Sequence, residues 1–252
     1  TEIGFYAPFE IPNGYAIDDT DTESIQSSLL EADRDLISVY KNSSTQIAFV
    51  CNGPIFAPVN CDELFKDYTS LTTINFNNFD TKNSTSMRYM FKGDTSLLIL
   101  DLTSFNTTYV TNMTQMFTNC TSIATINLAN FNTSIVTDMS YMFQNCSQLT
   151  NLNIANFNTE KVTTIAYMFN NCSSITALNL SCFNTSLVTT MAYAFDTCSG
   201  LLNLNLLNWS FDRVSTWTNM FASCNANLKV ECSLDNRDTL ITNTALTASN
   251  FE

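Results

Sequence analysis

Residues 135–146 read IVTDMSYMFQNC. Residues 110–120 read VTNMTQMFTNC, and residues 162–172 read VTTIAYMFNNC. Val, Phe and Cys keep their places, Met yields once to Ile, and most of the letters between them change. A copied active site would hold its outward polar residues constant. A copied shape holds its inward apolar residues constant, and that is the pattern here.

Working outward, the phrase recurs every 26 residues, six times, from Leu71, Leu97, Ile123, Leu149, Ile175 and Leu201. The unit can be written as columns. Column 4 holds Ile74, Leu100, Ile126, Leu152, Leu178 and Leu204, and column 6 holds Phe76, Leu102, Leu128, Ile154, Leu180 and Leu206. Polar residues separate them, the period-2 signature of a strand with one buried face. Columns 17, 20, 21 and 24 are apolar at i, i+3, i+4 and i+7, which predicts one face of a short helix. Thr or Ser in column 15 then stands where a hydroxyl would cap that helix. One strand and one helix per unit cannot bury their faces alone. Stacked, they predict an α/β solenoid with a parallel sheet on one side and short helices on the other. A half unit, 64–70, precedes the repeats, and 228–232 reads as the strand of a seventh.

Composition bounds the rest. The 252 residues carry a net charge of -13, 45% hydrophobic residues and only 13% charged ones. The acidity argues against nucleic acid and against an anionic membrane surface as partners. No apolar run reaches the roughly 20 residues that span a bilayer, so membrane insertion is not expected. There is no histidine, so the commonest general base and metal ligand is missing. Five glycines form neither a P-loop nor a dinucleotide fingerprint. No enzyme, cofactor or zinc site is expected. The chain opens at Thr1, as a processed secreted protein or a trimmed piece would.

Charge divides the chain. Residues 1–40 hold nine acids and one base, whereas 71–226 hold seven acids and five bases. We expect an acidic N-terminal cap over 1–60, a repeat solenoid over 61–232 and a C-terminal cap or tail over 233–252. In the cap, a helix from about Ser24 to Tyr40 is expected, followed by the strand TQIAFVC. The run DDTDTE, Asp18 to Glu23, has the alternating carboxylates of a calcium loop. It lacks that loop's glycine and distal glutamate, so a solvated acidic turn is expected. TEIGFYAPFEI at the start alternates like a strand that could add to a neighbour's sheet.

The pattern L-x-x-L-x-L-x-x-F-N-T-x-x-V-T-x-M-x-x-M-F-x-x-C resembles the BspA-like leucine-rich repeats, and most nearly their 26-residue subgroup, domain of unknown function 285. The likeness runs from about Leu64 to Cys232. It implies a right-handed leucine-rich-repeat solenoid, a secreted or cell-surface location and an adhesive or matrix role, with no catalytic residues. That family often has Asp in column 10, where this chain has Asn106, Asn132, Asn158 and Asn184.

Several side-chain sets remain as candidates. Five cysteines occupy column 24, and coils about 4.8 Å apart place neighbouring Cβ atoms too far apart for a bridge; they are expected as buried thiols. Cys51 and Cys61 bracket a turn-rich loop and are a candidate disulfide. N-x-[ST] sequons make Asn42, Asn83, Asn106, Asn132 and Asn184 candidate glycan acceptors. Asn119, Asn145 and Asn171 precede a buried Cys and are poor ones. Tyr89, Tyr141, Tyr167 and Tyr193 in column 19 are expected to face solvent and to form a binding stripe. Asn in column 5 is expected to stack as a ladder of mutually bonded amides. Regular Thr in columns 11 and 15 invites comparison with ice-binding faces, but capping accounts for column 15. The expected function is adhesion or recognition of a surface glycan or protein ligand. The alternative is a protomer that assembles with copies of itself into an extracellular filament.

Overall fold

The computed structural model describes residues 54–251 with their side chains. Nearer the N-terminus it describes the backbone of four strands, β1 (Glu2–Tyr6), β2 (Ala16–Ile17), β3 (Ser38–Asn42) and β4 (Gln46–Val50). The repeats stack into a parallel β-solenoid of about seven turns. Columns 3 to 5 form one three-residue strand per coil: β6 (Thr73–Asn75), β8 (Ile99–Asp101), β9 (Thr125–Asn127), β10 (Asn151–Asn153), β11 (Ala177–Asn179), β12 (Asn203–Asn205) and β13 (Lys229–Glu231). Two shorter strands, β5 (Ile55–Phe56) and β7 (Phe79–Asp80), pair in parallel at the first coil. Registers are offset by one unit, with Leu178 beside Leu204 and Leu204 beside Val230. A second line of parallel bridges runs through column 16, from Asn60 and Ser86 to Thr190 and Thr216.

The expected helix over columns 17 to 24 does not form. Those residues make consecutive turns. Met142 donates to the Met139 carbonyl and Gln144 to that of Tyr141, both three residues back. The intervening amides reach the next coil, with Tyr141 donating to Ala166 O at 2.9 Å and Phe143 to Met168 O at 2.9 Å. Columns 19 and 23 lie at positive φ, near 60° at Tyr141 and Asn145, as the third residue of a type II turn requires. A stack of coils gives every second amide a partner in the neighbouring coil, which an isolated helix cannot do. Columns 17, 20, 21 and 24 still point inward, because turns that return the chain every two residues mimic the helical spacing.

Without a helix there is nothing for column 15 to cap. Its hydroxyls donate instead to the column 15 carbonyl of the preceding coil, as Thr163 does to Thr137 O at 3.2 Å. The column 5 amides also behave differently from expectation. Each accepts the backbone N–H two residues on in its own coil, as Asn153 does from Ala155 at 3.2 Å. Columns 10 and 16 repeat this turn at Asn132 with Ser134 and at Asp138 with Ser140. These short polar side chains close the corners of the coil.

The core is built of ladders. The column 21 rings of Phe65, Phe91, Phe117, Phe143, Phe169, Phe195 and Phe221 stack 5.3–5.7 Å apart. Column 11 adds a buried polar ladder. The Thr133 hydroxyl accepts from Asn158 N at 2.8 Å and donates to Asn158 O at 2.8 Å, and Thr107 and Thr159 do the same one coil on. These threonines are 1–2% exposed, so column 11 is interior and no surface.

Both ends are covered. β1 lies parallel between β4 and β6, so the first repeat strand is not an open edge. β4 is the strand expected from TQIAFVC. Ser38–Tyr40, the end of the helix expected from Ser24, belongs instead to β3, antiparallel to β4; the rest of that segment and Asp18 to Glu23 lie outside the described residues. Helix α1 (Leu234–Asn243) and a 3₁₀ turn (Ala248–Phe251) close the far end, with Leu240 and Leu246 buried against the last coil. No helix among the described residues is long and apolar enough to cross a membrane.

Candidate recognition surface

Column 19 leaves the core because its backbone is left-handed. At positive φ in the turn, the side chains of Tyr141, Tyr167 and Tyr193 lie half-buried on the outer rim. Their rings stack 4.5 Å apart, with interplanar angles of 7° and 12°. This is closer than the phenylalanine ladder inside. Burial between its neighbours pushes the Tyr167 phenol up, and the nearby Tyr141 and Tyr193 add to it. The inner faces of the rings are therefore spent on one another, and the ridge offers ring edges and a row of hydroxyls.

Tyr89 does not join the ridge, because Gln115 occupies column 19 in the coil between. Its ring instead lies among cations. Lys92 Nζ is 4.9 Å from the centroid, Arg88 5.0 Å and Lys66 5.9 Å. Lys92 is also held by Gln115 Oε1 at 2.9 Å, and Lys66 by Glu63 at 3.0 Å. The expected stripe is thus a three-ring ridge with a separate cation-held ring before it.

Asn83, Asn106, Asn132 and Asn184 are exposed. Asn106, Asn132 and Asn184 each accept a hydrogen bond at 3.0 Å from the amide two residues on. Asn42 falls in β3, where only the backbone is described. Asn119, Asn145 and Asn171 form the amide ladder that was expected in column 5. Asn145 Nδ2 donates to Asn119 Oδ1 at 2.7 Å and Asn171 to Asn145 at 3.1 Å. Their left-handed backbone was the available signal, since Asn tolerates positive φ better than most residues.

The column 24 thiols are free, and each donates to the column 21 carbonyl of the preceding coil, as Cys146 does to Phe117 O at 3.2 Å. Burial pushes the Cys172 and Cys224 thiols up to about 12. Such thiols are poor nucleophiles and poor metal ligands. Cys61 is a buried free thiol, 3.2 Å from Ser84 Oγ, and Cys51 lies outside the described residues. In the first unit Asp94 takes the place of Cys. Its Oδ1 accepts from Tyr68 N at 2.8 Å, whereas Oδ2 is buried without a partner. Desolvation pushes its carboxyl up to about 9. Among the described residues, no group of three acids or cysteines stands close enough to hold a metal ion.

A search of the curated proteins finds no match. The family described as "Mycoplasma protein of unknown function, DUF285" matches residues 59–177 and again 123–232. These spans cover more than half of the 252 residues, and the chain belongs to that family.

Proposed function

We propose that this chain is a non-catalytic recognition module, displayed outside the cell or on its surface, that binds a macromolecular partner through the ridge of Tyr141, Tyr167 and Tyr193. The observation that carries this reading is three half-buried aromatic rings held 4.5 Å apart by a rigid stack of coils. Such rings are already ordered, so little side-chain entropy is lost when a partner covers them. Because their faces are mutually stacked, edges and hydroxyls meet the partner, which suits a protein surface better than a sugar lying flat on a ring. The remaining repeated polar groups, in columns 5, 10, 11, 15 and 16, are engaged in closing or joining coils, which leaves few of them for chemistry.

The finer fold class in this reading is a right-handed leucine-rich-repeat solenoid of the BspA-like kind, supported by the leucine-type columns and the parallel ladder. Exposed Asn106, Asn132 and Asn184 would carry glycan if the chain matures in a eukaryotic secretory pathway. The filament alternative links copies end to end or by an exchanged N-terminal strand, and for the second route β1 is already engaged in its own sheet, beside β6. That weighs toward a discrete module.

The test is adhesion. Beads coated with the parent protein, or with a variant carrying Tyr141→Ser, Tyr167→Ser and Tyr193→Ser, are counted on cultured cell layers and on matrix-coated plates. The reading expects the folded triple variant to lose about ten-fold or more in affinity, as when clustered aromatic anchors are removed. Equal adhesion by both proteins would overturn it.

A further inference from the structure

The ridge of Tyr141, Tyr167 and Tyr193 has a chemistry that recognition does not use. Its rings stand 4.5 Å apart between centroids and within 12° of parallel. The phenylalanine ladder of the core is wider, at 5.3–5.7 Å, and has no hydroxyls. The three tyrosines occupy one column of successive coils. The carbons ortho to their hydroxyls therefore face one another across the same gap. Tyr89 and the 61% exposed Tyr109 have no tyrosine beside them among the described residues.

A phenol that loses one electron and its proton becomes a phenoxyl radical, whose unpaired electron is shared with the ortho carbons. Two such radicals join where those carbons meet, and in free solution the encounter limits the rate. Here the encounter is built into the fold. The side chains that oxidants usually reach first are shielded. All nine methionines are 0% exposed. The thiols of Cys120, Cys146, Cys172 and Cys198 are buried, whereas Cys182 is exposed and competes. The half-buried ridge, by contrast, turns its ring edges outward at the rim.

We propose that the ridge is a site of oxidative tyrosine coupling, at which hydrogen peroxide, acting through a one-electron oxidant of the haem peroxidase class, joins Tyr167 to Tyr141 or to Tyr193 as dityrosine. Each phenol gives up one electron and one proton. A carbon–carbon bond forms between the two ortho carbons, and the two ring hydrogens they carried move to the oxygens and restore both hydroxyls. The two electrons and two protons removed reduce one hydrogen peroxide to two waters. Closing the gap requires the hydroxyl edges to lean together, which the open rim permits. The product ties neighbouring coils covalently between residues 26 apart in the chain. It is a property of the isolated protein and stands whether or not the ridge mediates adhesion.

The test treats the full chain, its accessible thiols first alkylated, with a haem peroxidase and hydrogen peroxide. Dityrosine is followed by its fluorescence and located by peptide mapping, which separates links within one chain from links between chains. The inference expects Tyr141–Tyr167 and Tyr167–Tyr193 links within the chain. Their initial yield per molecule should not change over about a ten-fold dilution, because the partners are already together. Tyr167→Phe keeps a ring in the stack but leaves the two outer tyrosines two coils, roughly 9 Å, apart. It should lower the within-chain yield at Tyr141 and Tyr193 about ten-fold or more. Tyr141→Phe should remove its own link and keep Tyr167–Tyr193, and Tyr109→Phe should change neither. Three results would each overturn the site: no product at Tyr167, links at the ridge that form only between chains, or an undiminished yield at Tyr141 and Tyr193 in Tyr167→Phe.

Discussion

Thr133 shows how much a single residue does in this chain. Its buried hydroxyl satisfies both backbone groups of Asn158 in the next coil. Thr133→Val keeps the shape and orphans both groups, and should cost about 2–4 kcal/mol in a denaturant titration. Thr163→Val removes an exposed hydroxyl whose acceptor, Thr137 O, keeps the Thr163 amide; it should cost under about 1 kcal/mol. Phe143→Ala, in the middle of the ring ladder, should cost about 3–5 kcal/mol. Asp94 is the residue whose contribution depends on pH. An acid whose folded pKa lies above its unfolded one favours folding while protonated, and that contribution is lost as pH rises. The folded value of about 9 against an ordinary 3.8 makes stability fall from about pH 4 toward pH 9. Asp94→Cys, the residue of the other coils, should therefore raise stability by about 1–3 kcal/mol at pH 7 and by little at pH 4. Melts of parent and variant at the two pH values check this; a gain equal at both would show that Asp94 is ionised in the fold.

At the scale of the element, the inward columns were legible and the conformation was not. The apolar spacing i, i+3, i+4, i+7 is shared by a short helix and by a run of turns that returns every two residues. What separates them is Asn at column 23 and Asn or Asp at columns 5, 10 and 16, residues that favour left-handed backbone and side-chain-closed turns over helix interiors. A strand-and-helix template gave those letters no role beyond capping and decoration. Thr197 tests the turn account. It is β-branched at φ 61°, where such a side chain is strained. Thr197→Asn restores the letter of the three preceding coils and should stabilise by about 1 kcal/mol. In a helix interior the same change would be near neutral, and a measured loss would contradict the turn.

Across the whole molecule, the parallel stack was legible from the 26-residue period alone, because no other arrangement buries every copy of the same column. The candidate tyrosines were legible too, although their mutual stacking follows from coil spacing rather than from helical phase. A stack of coils opens most readily from its ends. Native thiol labelling should therefore modify exposed Cys182 first and Cys224, in the last full coil, before Cys146. Cys146 should react only with global unfolding, followed by peptide mapping; early labelling of Cys146 would mean that the middle coils are not a continuous core. The most direct measurement concerns the Phe143 amide. Scalar coupling through its hydrogen bond identifies the carbonyl that it meets. The stacked-coil account predicts Met168, one coil on, at 2.9 Å. Coupling to Met139, four residues back as in an α-helix, would contradict it.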